Sequence, residues 1–394
     1  MTERRSGEFR GIALATLALE FALGLQRGVY PNFVAEVLGL GGDQLGVVES
    51  IREIPGLLTV VLGAAAVFFR QSTFTALSLL VAALGLVLYG FTRSFSMLVL
   101  ATVVVSTGFH LFYPLQSAII LRVASPGERA TRLGQVNSVT AAASLLAMGI
   151  VLFLTAGLGF RQYSTFFMIA AVAAAAGAAL MWARRSDGGG PMRRPLLFRR
   201  QYMSYYVLTF LAGSRRHMYM TFAGFLLVKV YGAPVTVMVV LLAISNVVAI
   251  LTRPLLGRLI DTWGEQRSLM LNYGMVAVLF LAYALIPVPL ILYLVYVLDS
   301  AMFGFEIAIT SHAGKIARPE EIPSTLAAGG TVNHIAGVLV PASGGLLWAQ
   351  WGPAATFVAG AVLSVVSLWY SAGLSTVQQR AARGDLTCPQ NQTT

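Results

Sequence analysis

Charge is what this sequence has least of. Only 11% of its 394 residues are Asp, Glu, Lys or Arg, against 57% hydrophobic, and mean hydropathy is +0.76. An average soluble domain carries about 25% charged residues, and no globular core could bury this much apolar chain, so a water-soluble fold is excluded. Cysteine is nearly absent as well: Cys388 stands alone near the end of the chain, which rules out a disulfide framework and a Cys-based metal site. No Walker segment, glycine-rich phosphate loop or catalytic triad occurs, so neither ATP-driven transport nor an enzyme has support. No cofactor and no metal are expected. The first apolar run is too long for a cleaved signal peptide, carries Glu20 and Arg27, and lacks a small-residue cleavage site.

Long hydrophobic runs fill the chain instead. A hydrocarbon core of about 30 Å needs about 20 apolar residues per helix. The runs predict transmembrane helices over 11–34, 45–69, 74–92, 96–121, 132–157, 162–183, 201–228, 234–257, 268–286, 289–312, 324–348 and 353–375. An even number of spans puts both termini on one side of the membrane. That side collects 20 Lys and Arg, whereas the other holds only Arg93, Arg161 and Lys229. The positive-inside rule makes it the cytoplasmic side, in a plasma or prokaryotic inner membrane. The net charge of +11 is thereby accounted for by topology, and nucleic acid is not an expected partner.

Residues 184–200, RRSDGGGPMRRPLLFRR, cannot stay in lipid and read as a cytoplasmic linker. They separate a six-helix half over 1–183 from another over 201–375, with a cytoplasmic tail over 376–394. NFVAEVLG at 32–39 faintly echoes GFLLVKVYG at 224–232, each closing the first helix of its half. Two such repeats place a substrate site at their interface near the bilayer midplane.

Nine charges fall inside the spans, and all lie on four of them: Glu20 and Arg27, then Glu49, Arg52 and Glu53, then Arg215 and Arg216, then Asp299 and Glu306. A charge at the bilayer centre costs roughly 2.5–3.5 kcal/mol on insertion scales, so such residues face a partner or a water-filled path. Glu49 shares a helix face with Arg52 and Glu53. Glu20 and Arg27, seven apart, share a face but are expected to be too distant for contact along a straight helix. Adjacent Arg215 and Arg216 project about 100° apart, so one can face a cavity while the other packs toward Asp299 or Glu306.

With twelve spans, a central linker and the segment GRLIDTWGEQR at 257–267, the chain resembles the major facilitator superfamily. The resemblance implies an all-α membrane protein of two pseudo-symmetric six-helix bundles. The family's cytoplasmic motif is matched by Gly257, Asp261 and Gly264; Thr262 stands where a basic residue is usual, and Arg267 comes one position late. Gly257 is expected to let helices approach, and Asp261 to pair with Arg258 or Arg267. In the family this cluster latches the cytoplasmic side shut in the outward-open state. The first half keeps Gly63 but has Val67 in place of the Asp. All nine intramembrane charges occupy helices that line the family's cavity, and so do His110, His217, His312 and His334.

The residues and the resemblance together point to a monomeric secondary active transporter moving a small organic anion or metabolite by alternating access, coupled to protons. Arg27, Arg215, Arg216, His110, Tyr113 and His334 are the candidate substrate contacts, because facing guanidinium groups suit carboxylate or phosphate. Asp299, the best single choice, and Glu53, Glu20, Glu306 and His217 are the candidate proton carriers. Three readings stay open beside this one. The acids could bind lipophilic cations in a proton-coupled multidrug exporter, the fold could serve a non-transporting receptor or assembly protein, or the charges could merely neutralise one another. GVLVPASGG at 337–345 predicts a bendable, closely packed eleventh helix.

Overall fold

The computed structural model describes residues 3–59, 70–160, 162–183, 198–318 and 320–374. The first-half motif around Gly63 and Val67, linker residues 184–197 and the tail beyond 374 lie outside them. The described residues form α1 (Glu3–Asn32), α2 (Gly42–Leu57), α3 (Gln71–Phe91), α4 (Phe95–Val123), α5 (Arg129–Leu152) and α6 (Tyr163–Ala183) in the first half. The second half begins with α7 (Met203–Met218), which runs on through a π turn into Gly224–Lys229. The segment Val235–Leu285 follows, broken at Gly264 into α8 (235–263) and α9 (265–285). The last three are α10 (Pro289–Ala301, continued by a 3-10 turn into Ile307–Ile316), α11 (Ile322–Trp351) and α12 (Pro353–Ala372).

Among the described residues, nine helical stretches are long and apolar enough to cross a membrane. That number is compatible with twelve spans. The 51 residues of Val235–Leu285 would measure about 77 Å as one helix, twice what a bilayer holds, and Gly264 at φ 79° turns them back. Only 16 residues of α2 are described, and α7 carries Arg215 and Arg216 in its middle. The membrane-facing surface is apolar: Trp369, Leu290, Leu285 and Val172 are each at least 70% exposed.

The two halves share a design. The helical runs of α1, α5, α7 and α11 end at Gly39, Gly159, Gly232 and Gly352, all with φ between 65° and 82°. These are the first and fifth helices of each half, and the left-handed turn suits a residue without Cβ. One hydrophobic cluster holds the first half together around Phe33, Phe112 and Phe167. The second half has one cluster around Phe222, Phe280 and Phe357 and another around Tyr202, Tyr205 and Tyr273.

Contacts joining the halves gather at the end of the bundle away from the termini. There α2 lies backbone to backbone on α11. A Cβ on Gly46 would run into the Pro341 carbonyl, and one on Gly345 would stand 2.6 Å from the Gly42 oxygen. Ser50 Oγ accepts from the Ala342 amide at 2.8 Å, and Trp348 stacks on Phe222. Lys229 Nζ donates to the Gly39 carbonyl at 3.2 Å, and Asn32 Nδ2 to that of Ala233 at 2.9 Å. The seam has a test in paired glycines. Gly46→Ala is expected to cost about 1–3 kcal/mol by overpacking, read as a lower melting temperature. Gly257→Ala, where a Cβ meets open space, is expected to be neutral or slightly stabilising.

Candidate functional site

A cavity of about 530 Å³ lies between the halves, walled by α1, α2, α7, α8 and α10. Four guanidinium groups line it, those of Arg27, Arg52, Arg216 and Arg253, against one carboxylate, Glu49. Tyr30, Tyr219, Phe225, Tyr296 and Phe303 form aromatic wall, and Gln26, Ser245, Asn246 and Ser300 offer neutral hydrogen-bonding groups. Arg253 was missed by the sequence reasoning, which counted it with the loop residues. Its position inside the 234–257 run was the available signal. A second hollow of about 480 Å³, at the end of α12, is lined among the described residues by Trp369, Tyr370, Ala372, Gly373 and Leu374, none acidic or basic.

Arg27, Arg52, Arg215 and Arg216 each have an acid behind them, but the pairs differ in exposure. Arg27 Nη2 reaches Glu20 Oε2 at 2.9 Å while its Nε donates to the Leu23 carbonyl at 3.1 Å. This corrects the expectation that residues seven apart cannot touch. Helical side chains lean toward the N-terminus, so the long arginine stem spans most of the roughly 10.5 Å of rise. Tyr113 Oη donates to the other Glu20 oxygen at 2.8 Å. Arg52 stands 3.0 Å from Glu49 and 3.4 Å from Glu53, and Arg216 is paired with Glu306. Arg27 and Arg216 keep 46% and 38% of their side-chain surface exposed.

Arg215 behaves differently. It donates to the Asp299 carboxylate and, at 2.6 Å, to the Asp299 carbonyl, with its guanidinium 4.0 Å from the Phe303 ring centroid. Both partners are buried, at 2% and 0% exposure, and neither lines the cavity. Of the sequence candidates, Arg215 and Asp299 thus stand in the packing between α7 and α10 rather than on the cavity wall. The 100° between neighbouring helical residues sends Arg216 to the cavity and Arg215 into the packing between α7 and α10.

His110, Tyr113 and His334 also lie off the cavity wall. His334 Nδ1 meets Glu53 Oε2 at 2.9 Å, which ties α11 of one half to α2 of the other. The His110 and His334 rings are 4.9 Å apart, and His217 is buried nearby. The cluster of Glu53, His110 and His334 was invisible in the sequence, where its members are scattered over three helices. His312 stands apart, 3.0 Å from Ser204 Oγ.

At the end that holds the termini, Gly264 turns the chain between α8 and α9, inside the 258–267 interval left between two predicted spans, but the neighbouring residues differ from expectation. Gly257 has open space where a neighbouring helix was expected, and Asp261 is exposed, with no ion pair to Arg258 or Arg267 among the described residues. The acid in use is Glu265, 2.6 Å from Lys315 Nζ and 2.7 Å from Ser311 Oγ. It pins the break to α10 within one half.

Residues 12–341 match the family model for the Major Facilitator Superfamily. The chain belongs to that superfamily. Among solved structures it is similar to the nucleoside transporter NupG, at 14% identity and a TM-score of 0.76 over 93% of this chain and 99% of that one. It is also similar to a bacterial homologue of the human lysosomal transporter Spinster in an inward-facing, occupied conformation. That likeness has 14% identity and a TM-score of 0.78, over 99% and 100%. A mutant peptide transporter POT in complex with sulfate gives 15% identity and a TM-score of 0.73, with 95% of each chain covered. At these identities the likeness is one of fold. A search of curated proteins gave no match. The protein is thus an integral membrane transporter rather than an enzyme.

The two kinds of arginine separate experimentally. Removing one partner of the sealed pair, as in Arg215→Leu or Asp299→Ala, is expected to cost about 3–5 kcal/mol, whereas replacing both with apolar side chains recovers most of that loss. Arg216→Ala, at the open pair, is expected to lower the melting temperature far less. Thermal denaturation of the four purified variants checks this.

Proposed function

We propose that the substrate of this transporter is a small organic anion or anionic metabolite, and that its movement is coupled to protons. The observation that carries the reading is the cavity lining, four guanidinium groups to one carboxylate. Arg27 and Arg216 come from the first helices of the two halves, and each keeps donors open to the cavity while one acid holds it from behind. Such groups bind carboxylate or phosphate in a fork and exchange one anionic partner for another at little electrostatic cost. The aromatic wall supplies apolar contact for an organic body.

The cation-exporter reading has less behind it. Glu20, Glu53, Asp299 and Glu306 are each already engaged by a basic group, so a cation would have to displace an arginine or histidine. For the proton, Glu53 is the favoured carrier. It sits at the inner edge of the closed seam and is bonded across the halves to His334. Protonating the carboxylate weakens that bond, and opening the seam breaks it, which links proton binding to the conformational step. With the termini read as cytoplasmic from the distribution of Lys and Arg, the closed end is the external one.

Thermal stability of the detergent-purified protein against a panel of organic anions and cations tests the substrate class. Ligand at a hundredfold excess over Kd stabilises by about 2.7 kcal/mol. An anion is expected to raise the melting temperature of the wild type, and Arg216→Ala to abolish the rise; a response to cations alone would refute the anion reading. Once an anion is in hand, proteoliposomes test the coupling. Glu53→Gln is expected to keep counterflow exchange and to lose accumulation driven by a pH gradient. Retained accumulation would remove Glu53 from the proton path.

A further inference from the structure

We propose that Glu53, His110 and His334 form a binding site for a divalent first-row transition metal, with Zn²⁺ the favoured ion, placed across the two halves of the transporter. One ligand atom from each lies within 4.8 Å of the others. In a tetrahedral zinc site with bonds of 2.0–2.1 Å the ligand atoms stand about 3.3 Å apart, so side-chain rotation of an ångström or so closes the set. Two imidazoles and a carboxylate are a common zinc ligand set with one open position.

Hydrogen bonding prepares His110 for this role. Ser106 Oγ donates to the Arg52 carbonyl, which commits its only hydrogen. The same Oγ lies 2.9 Å from His110 Nδ1, and the Ser106 carbonyl, which can only accept, lies 3.0 Å from it. His110 Nδ1 therefore carries the ring proton, and Nε2 presents a lone pair. A polar partner that fixes the tautomer in this way is the usual second layer of a histidine metal site.

Space has been kept open around these atoms. A Cβ on Gly56 would stand 2.5 Å from His334 Nδ1 and 2.8 Å from His110 Nε2, so any side chain there would fill the gap between the rings. On the other side, a Cβ on Gly337 would meet Glu53 Cγ at 2.6 Å and His217 Nε2 at 2.7 Å. That nitrogen is buried with no hydrogen-bond partner, in a residue 4% exposed, which makes it the nearest unspent donor for the fourth position. When metal binds, the proton now between His334 Nδ1 and Glu53 moves to His334 Nε2, leaving the Nδ1 lone pair for the ion. The bound metal then fastens α2 and α4 to α11 and holds this end of the transporter shut. The site is independent of the anion reading and survives its failure.

The test uses the full chain in detergent, stripped with chelator and titrated with Zn²⁺ by calorimetry, with X-ray absorption on the loaded sample. One equivalent is expected, with imidazole nitrogens and a carboxylate oxygen at about 2.0–2.1 Å. His110→Asn, which leaves the Glu53–His334 bond in place, is expected to weaken binding at least tenfold. Ser106→Ala is expected to weaken it by about 10–100-fold, as loss of an outer partner does. His312→Asn serves as the control with unchanged affinity. Melting temperatures without metal show whether each variant is folded. The absence of stoichiometric binding, a spectrum without imidazole, or equal affinity in the wild type, His110→Asn and Ser106→Ala would each overturn the proposal.

Discussion

A guanidinium or carboxylate inside a bilayer must find a countercharge, and the internal order of this protein follows from how each one does. Nine charged residues fall inside the predicted spans on α1, α2, α7 and α10, and a lone charge at that depth is costly. The solutions are unequal. Arg215 and Asp299 close on each other out of reach of water and fix α7 against α10. Arg27, Arg52 and Arg216 are neutralised on one side only and turn their other donors to the cavity. One constraint thus yields a structural strut in one place and a cavity wall in another, and exposure separates the two.

The same separation explains why neighbouring arginines on one helix have different fates. The α10 segment is not a continuous helix: a 3-10 turn over Met302–Glu306 interrupts it between Asp299 and Glu306. Phe303, in that turn, stacks against Arg215 and lies 5.9 Å from Arg216. The break therefore spaces the two acids to meet two basic residues that diverge by about 100°. Irregular backbone at membrane depth is tolerated where it is buried in protein or lines a cavity, and this turn does both.

Much of this was legible in the sequence because membrane physics acts locally. The all-helical membrane fold follows from the apolar runs, and the gathering of charge on a few helices follows from its cost in lipid. The turn between α8 and α9 falls in the 258–267 interval because a charged, polar motif there ends an apolar run. Side-chain reach and tertiary neighbourhood were not legible. Rise along the axis made Glu20 and Arg27 look separate, because it ignores the backward lean of a long side chain. Gly257 looked like a contact point, but whether a glycine meets a neighbour depends on which end of the transporter is closed. Arg253 was hidden by its place near a span end, and the grouping of Glu53, His110 and His334 depends on how three helices converge.

The closed end also constrains how the molecule can move. At the seam between α2 and α11, glycines and a proline carbonyl are in backbone contact, and the Trp348 ring and the His334 and Glu53 side chains lie across it on Gly42, Gly56 and Gly337. The polar bonds at its inner edge have to break whenever the two helices part. Glu53 and His334 supply the bond that spans the halves at that point, and the proton and the metal ion proposed above would act on the same two atoms in opposite senses. Protonation of Glu53 would remove the charge that holds His334, whereas a cation shared between them would strengthen the tie. On those proposals the bias of the seam would be set by which of the two occupies one carboxylate oxygen.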